Sequence, residues 1–239
     1  MDNIKKKIGI HQPNFLPWIG YFAKLLASDE FIFLDTAQFS KGSYQNRVLI
    51  KNPQESKWFT ANVQKEKDSF MQSKFIKLSN FDFWKEKHLK TLQANYSKSN
   101  NFNFFFEKIE NFYRNSDFKY LCEFNIGLII VICEALEIPT NKFIRSSELD
   151  ITSTGDDALI DIAIKRNADV YLSGSGGKKY QDEKKFEDKG ISIEYNFFTH
   201  PQYNQLWGEF IEGLSIVDLL LNEGENASTI LKESVLIND

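Results

Sequence analysis

The sequence predicts an α/β protein with a mostly parallel sheet and an inserted helical region. Short apolar runs alternate with helical patterns towards both ends of the chain, as expected of parallel strands joined by crossover helices. Between them, residues 83–138 carry consecutive helical patterns rich in aromatic side chains. The opening stretch IGIHQPNFLPWIGYF shows the first unit in order: strand, tight loop, helix. In open α/β sheets ligands collect at such strand ends, because loop side chains and helix N-terminal amides converge there.

The first strand is the run at Ile8 and Ile10, which stops at His11-Gln12. Apolar positions at Ile19, Phe22, Leu25 and Leu26 predict a helix over 16–28, with Pro17 suited to its first turn. Residues 30–35 read as a buried strand ending in the carboxylate of Asp35, and 36–46 as a polar loop on the His11 side. Residues 47–51 are extended, 52–55 form a turn, and 57–63 and 74–78 read as two further strands. Helices are expected over 83–95, 102–114 and 119–136, with Pro139 marking the end of the last. A strand at Phe143-Ile144 precedes a helix over 156–165, capped by Ser153 or Thr154 and opened by Asp156 and Asp157. Strand 169–173 then runs into Gly174-Ser175-Gly176-Gly177. A helix over 182–189 ends at Gly190, a strand covers 191–198, and the tail holds a helix over 215–221. The expected organisation is one continuous domain: a first α/β half over 1–82, a helical insert or cap over 83–138, and a second half with the tail over 139–239.

Composition narrows the class. A chain of 239 residues can bury one large core. The net charge of −4 and pI near 5.6 leave no electrostatic footprint for nucleic acid, so Phe104, Phe105 and Phe106 read as core rather than a base-stacking platform. The start, MDNIKKKIGI, has no apolar signal segment, and the apolar run 126–133 is far short of the roughly 20 residues of a spanning helix. The expectation is a cytoplasmic protein without a membrane span. Cys122 and Cys133 match no zinc spacing, so no metal site is expected.

Three constellations carry chemistry. His11 ends a buried strand beside Gln12 and Asn14, and an imidazole with a pKa near ~6.5 is a usable base at neutral pH. His88, in KEKHLK, and His200, before Pro201, read as surface residues. The segment DTAQFSKGSYQNRVLIK is dense in distinct polar types. In it Asp35 or Gln38 would orient the histidine, Asn46 would bind hydroxyls, and Arg47 and Lys51 would hold phosphates. Ser173-Gly174-Ser175-Gly176-Gly177-Lys178-Lys179-Tyr180 lets backbone amides approach an anion, although it spells neither the Walker pattern nor the dinucleotide fingerprint. Tyr21 and Tyr180 would close the pocket.

Four stretches together, HQPNFLPWIGYF, FLDTAQFSKGSYQNR with VLIK, YLSGSGGKKYQDEKKFEDKGISIEY and LSIVDLLLNEG, resemble the WbqC-like protein family of bacteria over nearly the whole chain. Members of that family typically occur among genes for O-antigen and related surface polysaccharides. The resemblance implies acyl or aminoacyl (glycyl) transfer to the amine of a nucleotide-linked amino sugar. The strand-loop-helix start is also similar to nucleotidyltransferases and pantothenate synthetase, which implies a Rossmann-like sheet of that topology. In those enzymes the helix begins with His-x-Gly-His; here the corresponding residues are Trp18-Ile19-Gly20-Tyr21, so the glycine is kept and both histidines are aromatic. That departure disfavours ATP as a cofactor, and the acyl or aminoacyl donor is not named by the sequence.

The expected partner is therefore a nucleotide-linked amino sugar, with His11 as base, Asp35 or Gln38 orienting it, and Gln12, Asn14 and Asn46 on sugar hydroxyls or the developing oxyanion. Two other readings stay open: an ATP-dependent adenylate-forming ligase, and a non-catalytic sugar-nucleotide binding protein. A homo-oligomer is compatible with all three.

Overall fold

The fold is described from a computed structural model covering residues 5–65, 70–174, 176–195 and 197–236. In chain order the elements are β1 (Lys7–His11), α1 (Ile19–Ala27), β2 (Glu30–Phe33), β3 (Arg47–Lys51), β4 (Ser56–Thr60), α2 (Phe81–Tyr96), α3 (Phe102–Asn115) and α4 (Leu121–Ala135). They continue with β5 (Phe143–Arg145), α5 (Gly155–Lys165), β6 (Val170–Leu172), α6 (Glu183–Glu187), β7 (Ser192–Glu194), α7 (Ile216–Glu223) and α8 (Asn226–Ser234).

Five strands form one sheet in the order β5-β2-β1-β6-β7, and every pairing is parallel. The chain winds outwards from β1 in one direction through β2 and β5, then returns to the other side of β1 through β6 and β7. This is the doubly wound, Rossmann-like arrangement, and its topological switch point lies between β1 and β6. The register places Ile10 opposite Ile32 and Gly9 opposite Leu172.

Both faces of the sheet are covered, which is why β1 and β2 read as nearly unbroken apolar runs. Ile8, Ile10, Ile32 and Tyr171 pack with Leu149, Ile160, Ile162, Phe186 and Ile191 on the α5–α6 side. Phe31, Phe33 and Leu172 point the other way, into a larger cluster shared by α1, the β3–β4 hairpin, α2–α4 and α7–α8. Each fully buried Ile or Phe contributes about 1.5–3 kcal/mol. Gly9 marks a close approach on this side: a Cβ there would lie 2.7 Å from the Phe31 ring and 3.0 Å from Ser28 Oγ.

Several expected elements differ. Residues 74–78 are not a strand: a short 3-10 turn, Ser73–Phe75, leads to single bridges from Lys77 to Tyr120 and from Leu78 to Val63. Strands β3 and β4 pair only with each other, antiparallel, and stand outside the main sheet. The strand expected over 191–198 shortens to β7, and α8 follows α7 where only one tail helix was expected. α8 packs Ala227 and Leu231, both fully buried, against the core, so its stability comes from that contact and not from a long periodic pattern. No helix among the described residues is long and apolar enough to cross a membrane.

The edge of the sheet away from His11 is closed by charge. Glu30 accepts from Arg166 Nε at 2.7 Å and from Lys6 Nζ at 2.7 Å. These cations pull the Glu30 carboxyl down to about 2. The opposite edge carries the chemistry.

Candidate functional site

His11 is the last residue of β1, half-buried, at the C-terminal edge of the central strand. Its Nδ1 lies 3.0 Å from the Gln12 carbonyl oxygen. A carbonyl only accepts, so Nδ1 carries the hydrogen and Nε2 keeps its lone pair. The ring meets Tyr21 edge-on at 4.9 Å. Burial, then the nearby Lys24 charge, lower the imidazole to about 3, with the Gln12 carbonyl pulling weakly the other way. At neutral pH His11 is therefore an uncharged imidazole with one defined tautomer.

The turn that follows is stitched to the polar loop before β3. Gln12 Oε1 accepts from Gln45 Nε2 at 3.1 Å, and the same amide donates to the Gln38 carbonyl at 3.2 Å. Phe15 N donates to the Tyr44 carbonyl at 3.0 Å. From α4, the fully buried Asn125 donates to the carbonyls of both Pro13 and Gln45, at 2.9 and 2.8 Å. Asn14 Oδ1, Gln45 Oε1 and Asn125 Oδ1 are buried around this junction without a hydrogen-bond partner among the described residues. The two loops expected to share an edge do share it.

The remaining expected site residues fall into place unevenly. Tyr21 is buried, with no hydrogen-bond partner for its hydroxyl among the described residues, and packs edge-on against His11. Asp35 does not touch the histidine; its buried carboxylate accepts from Ser146 Oγ at 2.8 Å, Ser147 N at 2.9 Å and Ser147 Oγ at 2.6 Å. It thus ties the end of β2 to the end of β5. Gln38 is exposed and bridges Gln72 through its backbone. Asn46 accepts from Gly42 N at 2.9 Å and donates to the Ala61 carbonyl at 3.2 Å, which braces the loop. Arg47 stacks its guanidinium 4.0 Å over the Trp58 ring, with no hydrogen-bond partner for Nε among the described residues. Lys51 lies at the other end of β3, buried, donating to Gln205 Oε1 at 3.0 Å and to the Glu209 carbonyl.

Across the switch point, Ser173 follows β6 and is buried, its backbone N–H bonded to the Glu194 carbonyl at 2.9 Å. Its hydroxyl donates to Gln181 Oε1 at 2.8 Å. Gly177 is required for that closure, since a side chain there would collide with the Ser173 hydroxyl and the Gln181 amide. Gly174 and Gly176 are exposed and open on all sides, and Tyr180 is 86% exposed. Ser175 lies outside the described residues.

Two residues were missed in the sequence. Lys24, mid-helix in α1, is only 3% exposed and its ammonium donates to the Ile10 carbonyl at 2.8 Å. Burial lowers it to about 7. A lone charge inside the apolar helix IGYFAKLLA was the available signal. His88 is not on the surface but 5% exposed, with Nε2 3.0 Å from the Thr60 carbonyl and Nδ1 3.2 Å from the Tyr113 hydroxyl. It lines a cleft of about 490 Å³ between β4 and α2, together with Asn52, Lys57, Trp58, Trp84 and Lys87. Phe15 connects the two places: its ring packs 5.7 Å from His88 at one end of the loop that begins at His11. Cys122 and Cys133 are free and buried, and no cluster among the described residues has the ligands for a metal ion.

This loop-bearing architecture, from the Gln12 turn to α8, coincides with a family match over residues 12–230. The chain belongs to the WbqC-like protein family. Among curated proteins this WbqC-like chain is 32% identical over 228 residues to uncharacterized protein Rv1507c of Mycobacterium tuberculosis, covering 95% of this chain and 98% of the relative. No solved structure matches it. In the WbqC-like protein Lys24, bound to the Ile10 carbonyl, is near enough to His11 for its charge to add to the lowering of the imidazole.

Proposed function

We propose that this WbqC-like protein transfers an acyl or aminoacyl group to the amine of a nucleotide-linked amino sugar. The observation that carries the reading is His11: an uncharged imidazole with Nδ1 held by a carbonyl and Nε2 free, at the switch point of a doubly wound sheet. In the proposed step the sugar amine attacks the acyl carbon, a C–N bond forms, and the bond to the donor's leaving group breaks with its electron pair. His11 Nε2 takes the proton released by the amine. The Gln12 side-chain amide, whose Oε1 is held by Gln45 Nε2, would donate its own N–H groups to the developing oxyanion. The exposed backbone at Gly174 and Gly176, after β6, would bring amides to the diphosphate. A base lowered to about 3 is weak at neutral pH, so the substrate's own negative charge has to raise it before it works.

The experiment is a mass measurement. Purified protein is incubated with dTDP- and UDP-linked amino sugars and acyl or aminoacyl donors. A mass gain on the sugar, lost by at least about a hundredfold in His11→Ala, is the expected outcome. Transfer at an undiminished rate in His11→Ala, or no gain with any pair, removes the reading.

A further inference from the structure

We infer that Lys24 is the anion-binding group of the switch-point crevice: its amine takes a phosphoryl oxygen of the ligand and gains a proton as it does so. The inference rests on the same crevice as the transfer reading. The position comes from the backbone. In a parallel strand successive carbonyls point to opposite sides. His11 O accepts from Leu34 N and Lys7 O from Asp29 N, both towards β2, so the Ile10 carbonyl points towards β6. The β1–β6 register ends at Gly9 opposite Leu172, one residue earlier. Lys24 Nζ, bound to that carbonyl, therefore lies in the fork where the two strands separate.

The amine there is under-used. An ammonium has three donors, and Ile10 O takes one. Lys24 makes no ion pair among the described residues, and no carboxylate offsets its burial. The groups facing it are few. From β1 there is the neutral His11 imidazole, and from β6 the Tyr171 ring, with its centroid 5.5 Å away. The Tyr171 hydroxyl accepts from Gln181 Nε2 at 3.4 Å, and Asp156 of α5 acts on that phenol rather than on Lys24. At the end of β7, Glu194 is paired with Lys7 at 3.0 Å. A buried amine with spare donors and no counter-charge is destabilising unless something anionic completes it. In a fold that binds diphosphates at this fork, a ligand phosphate is the fitting counter-charge. Its arrival would hold the amine charged and, by the same field, raise His11.

Calorimetry tests this with UDP, dTDP and inorganic pyrophosphate as probes, and acetate and glycine as carboxylate controls. Titrations at pH 8 in buffers of different ionisation enthalpy count protons. The expected result is binding of a phosphorylated probe with uptake of about 0.9 proton per site, because an amine near 7 is about 90% neutral at that pH. Lys24→Met is expected to weaken the probe at least about tenfold while raising Tm, since the cost of burying an amine that must give up its proton is removed. The proton count on the unaltered protein stands whether or not the variant folds. No binding by any phosphorylated probe, binding without proton uptake, or an unchanged Kd in a folded Lys24→Met overturns the inference, and binding by the carboxylates alone overturns the phosphate assignment. Anion binding with proton uptake but no transfer would sink the reaction and leave this site; transfer by Lys24→Met at the normal rate would do the reverse.

Discussion

Lowering the pH from 7 to 5 is expected to remove up to about 4 kcal/mol of folding stability, a large share of the ~5–15 kcal/mol typical of a domain. Two histidines are responsible. Burial lowers both His11 and His88 to about 3, against 6.5 in the unfolded chain. The unfolded state therefore binds more protons between pH 6.5 and 3, and stability falls as pH drops through that window. Each contributes about 1.4 kcal/mol per pH unit, hence about 2 kcal/mol at pH 5, with the His11 share reduced by its partial exposure. Other groups act in different windows. Glu30, pulled down to about 2, loses its contribution only below about 4.5. Burial raises Asp218, so its share moves the other way on acidification. Urea unfolding midpoints at pH 7, 6 and 5 check this, and His88→Gln should flatten the slope by about half. A midpoint that does not move over this range would contradict it.

The second large effect is Asp218→Ala, expected to cost about 3–5 kcal/mol. Asp218 is fully buried on α7 and accepts from the Tyr96 hydroxyl at 2.8 Å and the Tyr203 hydroxyl at 2.8 Å. Its charge also faces the buried Lys51, whose backbone N–H donates to Tyr96 at 3.1 Å. Alanine would leave two phenols without an acceptor and a buried ammonium without its carboxylate. Asp218→Asn keeps an oxygen acceptor and should lose clearly less. Chemical denaturation of the two variants separates the outcomes, and equal losses would show that charge, not hydrogen bonding, carries the effect. This network explains why Lys51, expected on phosphates, is instead committed to joining the hairpin to the C-terminal loop.

Elements set by local pattern were legible in the sequence, and those set by tertiary context were not. β1, α1 and β2 follow from apolar spacing and from Pro17, and the parallel order follows from alternation. The strand expected at 74–78 failed because Ile76 and Leu78 are buried without a ladder to join, while Phe75 is left exposed. At the site, the nearness of the His11 turn and the loop before β3 was foreseen, but Asp35 was drawn off by two serines more than 100 positions later. KEKHLK suggested an exposed histidine because its neighbours are charged, whereas the helix buries one face and His88 lies on it. Lys24 was hidden in plain spacing: periodicity counts an apolar face and passes over the single residue on it that is not apolar.

The central claim is that ligand engages the β1–β6 fork through His11 and Lys24. The three histidines give it a direct readout, because His11 sits at the fork, His88 lines the β4–α2 cleft, and His200 packs beside Trp18. In 15N-histidine NMR, His11 should show the Nδ1-protonated tautomer, should not titrate between pH 5 and 8, and should shift on addition of UDP while His88 stays in place. A His11 signal that titrates near 6.5, or a nucleotide that moves His88 alone, would contradict the account and put the site in the cleft.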